Sequence, residues 1–533
     1  MEHVPWLTVV TFAPLAGAVP LAFFSPRAVR LHRWWGLGVT VATFGLALGM
    51  FTQFSSNNAG FQLVEHVVWV RSLNFNYIMG VDGISVFLVL LTAFLMPAGV
   101  LVSWRVDRQV KFFMLVLLVL ETAMLGAFVS IDLLLFFFFF EALLFPMYLI
   151  IGGWGSERRI YAAVKFFLYT MAGSAFLLVG ILFLYFKAGS QFGHPTFDIR
   201  QLQELTLSTT AARWLFLAFF VAFAVKTPLV PLHTWLPDAH TEAPTAGSLA
   251  LASVVIKVGG YGLIRFNLGL FPEASDHFRT LVLVLAVIGI IYGAVVALIQ
   301  TDIKRLVAYS SVSHMGFVTL GVFAFTIQGL SGGILTMINH GLSTGALFLL
   351  VGMLYERTHT RDLRKMGGLA SIVPVYAGVL LFVALSSIGL PGLNGFVGEF
   401  LVILGTFVST RPFAIAAVTG VVLSAIYLLW GYQRLMHGPP AIAGGAGNGH
   451  TQPSSGARTI PKRPWDLELR EYFVVVPIMA AILFIGIFPK PLLSRIEPAA
   501  RHTLVCVRPA QTTFIQHCPG TGGFPAFDVA RRP

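Results

Sequence analysis

The stretch at residues 111–150, KFFMLVLLVLETAMLGAFVSIDLLLFFFFFEALLFPMYLI, decides the fold. Its only charged residues are Lys111, Glu121, Asp132 and Glu141. A helix rises about 1.5 Å per residue, so roughly 20 apolar residues cross the hydrocarbon core of a bilayer. The stretch is long enough for two crossings, with a polar break at Ser130 to Asp132. A membrane β-barrel would instead alternate apolar and polar residues over strands of about ten. Working outward, the same pattern recurs along the chain. The 533 residues are 56% hydrophobic and 11% charged. Their mean hydropathy is +0.81. Soluble domains are about 25% charged, so an ordinary globular enzyme is excluded. The fold class is an all-α polytopic membrane protein.

The hydropathy predicts about fourteen transmembrane helices, near 4–24, 34–54, 78–103, 112–130, 132–151, 163–186, 212–232, 244–264, 280–300, 306–326, 331–355, 373–405, 412–435 and 472–492. Lys and Arg concentrate in the odd-numbered connections, for example Arg27, Arg30 and Arg33, or Arg357, Arg361, Arg364 and Lys365. The positive-inside rule then puts those connections in the cytoplasm, or the matrix of an organelle, and both termini outside. The net charge of +12 sits in these short loops, which argues for lipid headgroups and against nucleic acid. No cleavable signal peptide is expected, because the first apolar run lacks a basic leader. Residues 437–470 hold a Gly/Pro-rich flexible loop, 471–492 the last span, and 493–533 an irregular tail. Cys506 and Cys518 both fall in that tail and are expected as free thiols, a disulfide being open to them only if the tail faces an oxidising compartment. Neither has zinc or iron–sulfur ligand spacing.

Two spans are interrupted. The seventh contains Lys226-Thr227-Pro228 and Pro231, and the twelfth contains Gly389-Leu390-Pro391-Gly392. Each proline removes a helix hydrogen bond, and backbone freed at membrane depth must face protein or a wet cavity. Each break is the fourth span of a run of five. The expected organisation is an N-terminal three-helix segment at 1–110, then two inverted five-helix repeats at 111–270 and 271–436. Inverted repeats with broken helices are a transporter pattern.

Ionisable groups inside a bilayer cost roughly 2.5–3.5 kcal/mol each on insertion scales and so call for partners or a task. The spans contain Glu121, Glu141, Lys165, Lys226, Lys257 and Glu399, with His314 and His340 as two further titratable groups. Lys165 is close enough to a helix end to snorkel beside Arg158 and Arg159. Glu121 is read as a packing acceptor. Lys226 and Lys257 lie mid-span, and a Glu141–Lys226 pair is the obvious way to hold two opposite charges. Histidine relays protons because its pKa lies near physiological pH.

The stretch KTPLVPLHTWLPDAHTEAPT at 226–245 and LASVVIKVGGYGLIR at 251–265 resemble the signature of antiporter-like proton-channel subunits of respiratory complex I, the proton-pumping NADH:quinone oxidoreductase. DIKRLVAYSSVSHMG at 302–316 and INHGLSTGALFLLVGMLYERTHTRDL at 338–363 match the same family, so the resemblance spans nearly the whole chain. Three paralogues share these motifs, as do subunits of multisubunit cation/proton antiporters. Glu399, in SSIGLPGLNGFVGEF, stands where two of the paralogues carry lysine. With YERTHTRDL, and with no long lateral helix after span fourteen, this is similar to the branch called subunit M, or chain 4 in mitochondria. The loop and the cysteine-bearing tail exceed the family pattern.

The resemblance implies a proton path through Glu141, Lys226, Lys257, His314, His340 and Glu399. Glu141 would tune Lys226, Lys257 and the histidines would relay, and Glu399 would deliver the proton outward. It implies a multi-pass subunit of the cell membrane, or of the mitochondrial inner membrane, that couples quinone reduction to proton translocation. Expected partners are the other membrane-arm subunits, notably the two paralogous antiporter-like subunits, together with lipid, water and protons. No cofactor is expected in this chain, which has no dinucleotide fingerprint. NADH, FMN, iron–sulfur clusters and quinone would belong to other subunits, so the enzyme label describes the complex. A subunit of a Na⁺/H⁺ antiporter is the alternative, and a non-conducting scaffold is a second rival.

Overall fold

The computed structural model describes residues 4–439, 466–505 and 507. Cys506, Cys518, most of the Gly/Pro-rich loop and most of the tail lie outside the described residues. Helices α1 (Trp6–Phe23), α2 (Val29–Thr52), α3 (Val86–Val102), α4 (Val110–Val129), α5 (Leu133–Trp154) and α6 (Arg159–Phe192) follow the hydropathy runs closely. After a single helical turn at Ile199–Leu202 come α7 (Thr209–Lys226), α8 (Trp235–Glu242) and α9 (Thr245–Leu268). The second half continues with α10 (Pro272–Leu298), α11 (Ile303–Phe323) and α12 (Ile327–Thr358). It ends with α13 (Pro374–Ile388), α14 (Asn394–Ser409), α15 (Arg411–Met436), α16 (Leu469–Ile487) and α17 (Lys490–Val505). Thirteen stretches are long and apolar enough to cross a membrane, and the shorter apolar α13 and α14 supply the interrupted twelfth.

Three features depart from the sequence reading. The third span does not start at 78. Residues Phe75–Val81 form strand β2, antiparallel to β1 (Gln62–Val70), in a hairpin within an otherwise helical chain. Glu65 of β1 accepts from the Leu7 and Thr8 N–H groups at 2.7 and 3.0 Å. The hairpin therefore satisfies the unpaired first turn of α1 with a carboxylate at its positive end. The irregular tail, expected from 493, is instead helical through Val505. Leu492, Ile496, Ala499, Ala500 and Leu504 bury one face of α17, the three-and-four spacing of an amphipathic helix. Finally, α9 contains two π-helical stretches, Leu251–Val255 and Leu263–Leu268. They flank Lys257, and such widened turns recur at functional sites.

Burial tells interior helices from peripheral ones. The most hydrophobic windows of α9 and α12 are wholly buried, whereas those of α2 and α16 are mostly not. Exposed Phe and Val side chains on the outer helices are what a lipid-facing surface requires. The interior helices carry the polar residues, and that arrangement positions the site.

Candidate proton path

α12 sits between α11 and α14, with α9 against its other side, so it can present side chains to three neighbours. His340 on α12 places Nδ1 2.6 Å from Lys257 Nζ on α9. The π turn at Leu251–Val255 leaves the Ala252 carbonyl as a second acceptor for the same ammonium. The His340 and His314 rings stand 5.4 Å apart between centroids. His314 Nδ1, on α11, is 2.7 Å from Glu399 Oε1 on α14. Lys257, His340, His314 and Glu399 thus form one buried line drawn from four helices. Each histidine has one nitrogen engaged, and its Nε2 has no partner among the described residues. That leaves the two Nε2 atoms for the gap between the rings.

The line opens on a small cavity whose polar wall includes Thr336, Asn339, Ser343 and Ser387. Asn339 and a further wall residue, Ser386, also bridge the break between α13 and α14. Asn339 Nδ2 donates to the Asn394 carbonyl at 2.6 Å, and Ser386 Oγ donates to Asn394 Oδ1 at 2.6 Å. Gly389 turns the chain out of α13 at φ +84°, in the left-handed region that favours glycine. Two polar groups that bridge the broken helix therefore also line the cavity.

Lys226 is the last residue of α7, and the chain is non-helical from there to Trp235. Its Nζ is buried and lies 4.7 Å over the Phe140 ring and 5.9 Å from that of Phe166. Neither Lys226 Nζ nor Glu141 Oε1 has a hydrogen-bond partner among the described residues. The expected Glu141–Lys226 contact is therefore absent there. Glu141 follows Phe140, whose ring takes the ammonium face on, and a desolvated cation over a ring gains up to about 2 kcal/mol. The two charges interact through space instead. Gly259 lets α9 press against the Lys226–Thr227 backbone, so the segments bearing Lys226 and Lys257 touch.

The remaining intramembrane groups fall out as follows. Lys165 lies over the same Tyr161 ring as Arg158. Its Nζ pairs with Asp238 of α8 at 2.7 Å, and Arg305 lies 3.6 Å from the same carboxylate. Glu121 is fully buried with neither oxygen partnered among the described residues. Three of the buried groups that escaped the sequence reading lie close to the path residues in sequence. His240 stacks on Phe348 at 4.6 Å, Lys304 donates to the Ala243 carbonyl at 2.7 Å, and Arg265 pairs with Asp82 at 2.7 Å. All three residues lie inside the quoted motifs, and Arg265 stands eight residues after Lys257, a spacing that should have drawn attention.

Residues 130–425 match the family model described as NADH:quinone oxidoreductase/Mrp antiporter, TM. The chain belongs to this family. Subunit M of the NADH-quinone oxidoreductase of Rhodobacter capsulatus is 45% identical over 507 residues, covering 93% of this chain and 96% of that relative. Chain 4 of the NADH-ubiquinone oxidoreductase of Arabidopsis thaliana is 40% identical over 513 residues, with 96% and 97% covered. Among solved structures, a chain of respiratory complex I from Thermus thermophilus with bound NADH superposes with a TM-score of 0.82. It is 33% identical, and the match covers 94% of this chain and 99% of that one. The Mrp complex from Dietzia sp. DQ12-45-1b matches at TM-score 0.81 but 21% identity, which speaks to the fold alone.

Proposed function

We propose that this chain is the antiporter-like, proton-translocating subunit M of a membrane-bound NADH:quinone oxidoreductase. The observation that carries the reading is the buried line of Lys257, His340, His314 and Glu399, hydrogen-bonded at both ends and interrupted by a separation of 5.4 Å between the centroids of the two rings. The family membership and the subunit M relatives support the same assignment. A proton held on Lys257 passes to His340 Nδ1, which requires that nitrogen to accept, and leaves from Nε2. His314 takes it at Nε2 and yields it from Nδ1 to Glu399. Each imidazole gains a proton at one nitrogen and loses one at the other, which leaves it in the opposite tautomer, so each ring must turn or exchange tautomers before the next transfer.

Lys226 feeds this line, and Glu141 sets its proton affinity through space. We assign the Lys226 break to the cytoplasmic half-channel and Glu399 to the outward one, with both termini outside. The runs 111–270 and 271–436 act as inverted repeats around the central line. NADH, FMN, iron–sulfur clusters and the quinone site belong to other subunits, so this chain translocates protons without redox chemistry of its own. Its partners are the membrane-arm subunits, including the two paralogues.

The test is co-purification followed by pumping assays. The assembled enzyme should carry NADH-oxidising subunits, and proteoliposomes with Lys226→Ala should reduce quinone slowly and acidify little. Full pumping by an assembled Lys226→Ala complex removes the residue from the path. The second reading, a cation/proton antiporter subunit, draws on the Mrp part of the family description. Sodium-dependent proton exchange with no co-purifying dehydrogenase would favour it.

A further inference from the structure

A groove of about 400 Å³ runs between α6 and α7, far from the relay. Val179 and Phe183 of α6 form one wall, and Leu215 and Ala218 of α7 form the other. Spacings of four and three residues keep each pair on one helix face. The two helices are antiparallel. Gln191 Oε1 accepts from the Thr206 N–H at 3.1 Å at one end, and farther in Gly180 leaves room for the Phe219 ring. The groove faces away from the bundle, since Val179 is 67% exposed and Trp214, at its rim, 70%.

Its walls belong to two stretches apolar enough to cross a membrane, but one end is polar. Ser208 and Thr210 line that end. Lys187 stands one turn beyond Phe183 on the same face of α6, half-buried and with no ion pair among the described residues. The spans expected at 163–186 and 212–232 stop beside these residues, so the polar end lies at headgroup depth, where tryptophans such as Trp214 collect. From Thr210 to Ala218 is about 12 Å along the axis, less than half of a hydrocarbon core roughly 30 Å thick. The groove therefore stays within one leaflet.

A helix is about 10 Å across, so this volume would hold less than one turn of it. Neither a spanning helix of another subunit nor one from a second copy can seat there. An extended hydrocarbon chain can, and a chain tethered to an anionic group also matches the cation at the mouth. We propose that the groove binds one anionic phospholipid, with an acyl chain between Phe183 and Ala218 and its phosphate at Lys187. Bulk lipid is as apolar as the groove, so close packing and the headgroup contact set the preference over neighbouring lipids. One lysine near an anionic headgroup is worth about fivefold in occupancy. The inference uses the membrane-spanning character of α6 and α7 and not the proton path.

The test is photolabelling of the assembled complex in phosphatidylcholine vesicles holding a trace of phosphatidylglycerol with a diazirine on one acyl chain. Peptides spanning 208–218 should be labelled several-fold above those of the lipid-facing side of α15 at Val418, Val422 and Ile426. Unlabelled phosphatidylglycerol should suppress the first signal and leave the second. Ala218→Phe fills the groove and should abolish the excess, and Lys187→Gln should lower it about fivefold. Labelling equal to that of α15 and insensitive to the competitor overturns the proposal, as does an unchanged signal in Lys187→Gln. A groove left unlabelled because a segment of another subunit covers it overturns the proposal too. Competition in the wild-type complex decides the matter alone should Ala218→Phe not assemble. No NADH or quinone enters the experiment, so its outcome is separate from pumping by Lys226→Ala.

Discussion

His314 Nδ1 and Glu399 Oε1 stand 2.7 Å apart, joining α11 to the second half of a broken helix. The contact couples a base to an acid beside the gap where backbone polar groups already gather. Glu399→Asp shortens the reach by one methylene and should keep most pumping per electron pair. Glu399→Ala should lower it on the order of a hundredfold, the usual scale for losing a positioned proton carrier. Glu399→Lys should fall between them, since it restores a titratable group of opposite charge. Equal pumping by Ala and Asp variants would sink the delivery role.

His340 is the sole bridge between Lys257 and His314 on the line described above. His340→Gln keeps a polar group but cannot gain a proton at one atom and lose one at another. Pumping should drop on the order of a hundredfold, the lower end for general acid–base groups, while the complex still assembles. Proteoliposome acidification against native-gel assembly checks this, and normal acidification would remove the histidine from the path.

Glu141 and Lys226 make no direct contact, yet a through-space interaction still predicts coupling. Glu141→Gln should slow quinone reduction in the native background and have much less effect once Lys226→Met is present. The double-mutant cycle on activity per assembled complex measures this. Strict additivity would mean that the carboxylate acts elsewhere.

Asn339 tests the repaired break. Asn339→Leu removes the side-chain donor to the Asn394 carbonyl, and losing a typical hydrogen bond costs about 0.5–1.5 kcal/mol. The thermal midpoint of the purified complex should fall accordingly. Gly389→Ala forces a side chain into the left-handed region and should cost about 1–3 kcal/mol by strain. Midpoints at the wild-type value would show that the turn has an alternative geometry.

Long apolar runs made the spans legible, because desolvation of a helix backbone leaves few other ways to cross a bilayer. The hairpin was lost for the same reason. Phe75–Val81 reads as an apolar run, and a short one does not reveal its period. Helix α17 was lost in the opposite direction, since its apolar face is a stripe and not a run. Of the site, residue identities were legible and pairings were not. Lys165 pairs with a residue 73 positions away, and Glu399 with one 85 positions away. Only the packed helices bring such partners together. The nearest-charge rule offered Glu141 to Lys226, and the Phe140 ring came between sequence logic and contact.

The widened turn at Leu251–Val255 has a consequence for evolution and engineering alike. Such a turn holds one residue more than a regular helix needs. Deleting one residue there would give a straighter, better-bonded α9, and by local criteria a more stable one. It would also leave the helix beyond in place, because the Ile256 N–H already bonds the Leu251 carbonyl five residues back, and one residue fewer makes that the ordinary four-residue bond. Lys257 would keep its facing toward His340. The surplus residue is thus absorbed inside the turn, and the relay's phase is independent of it.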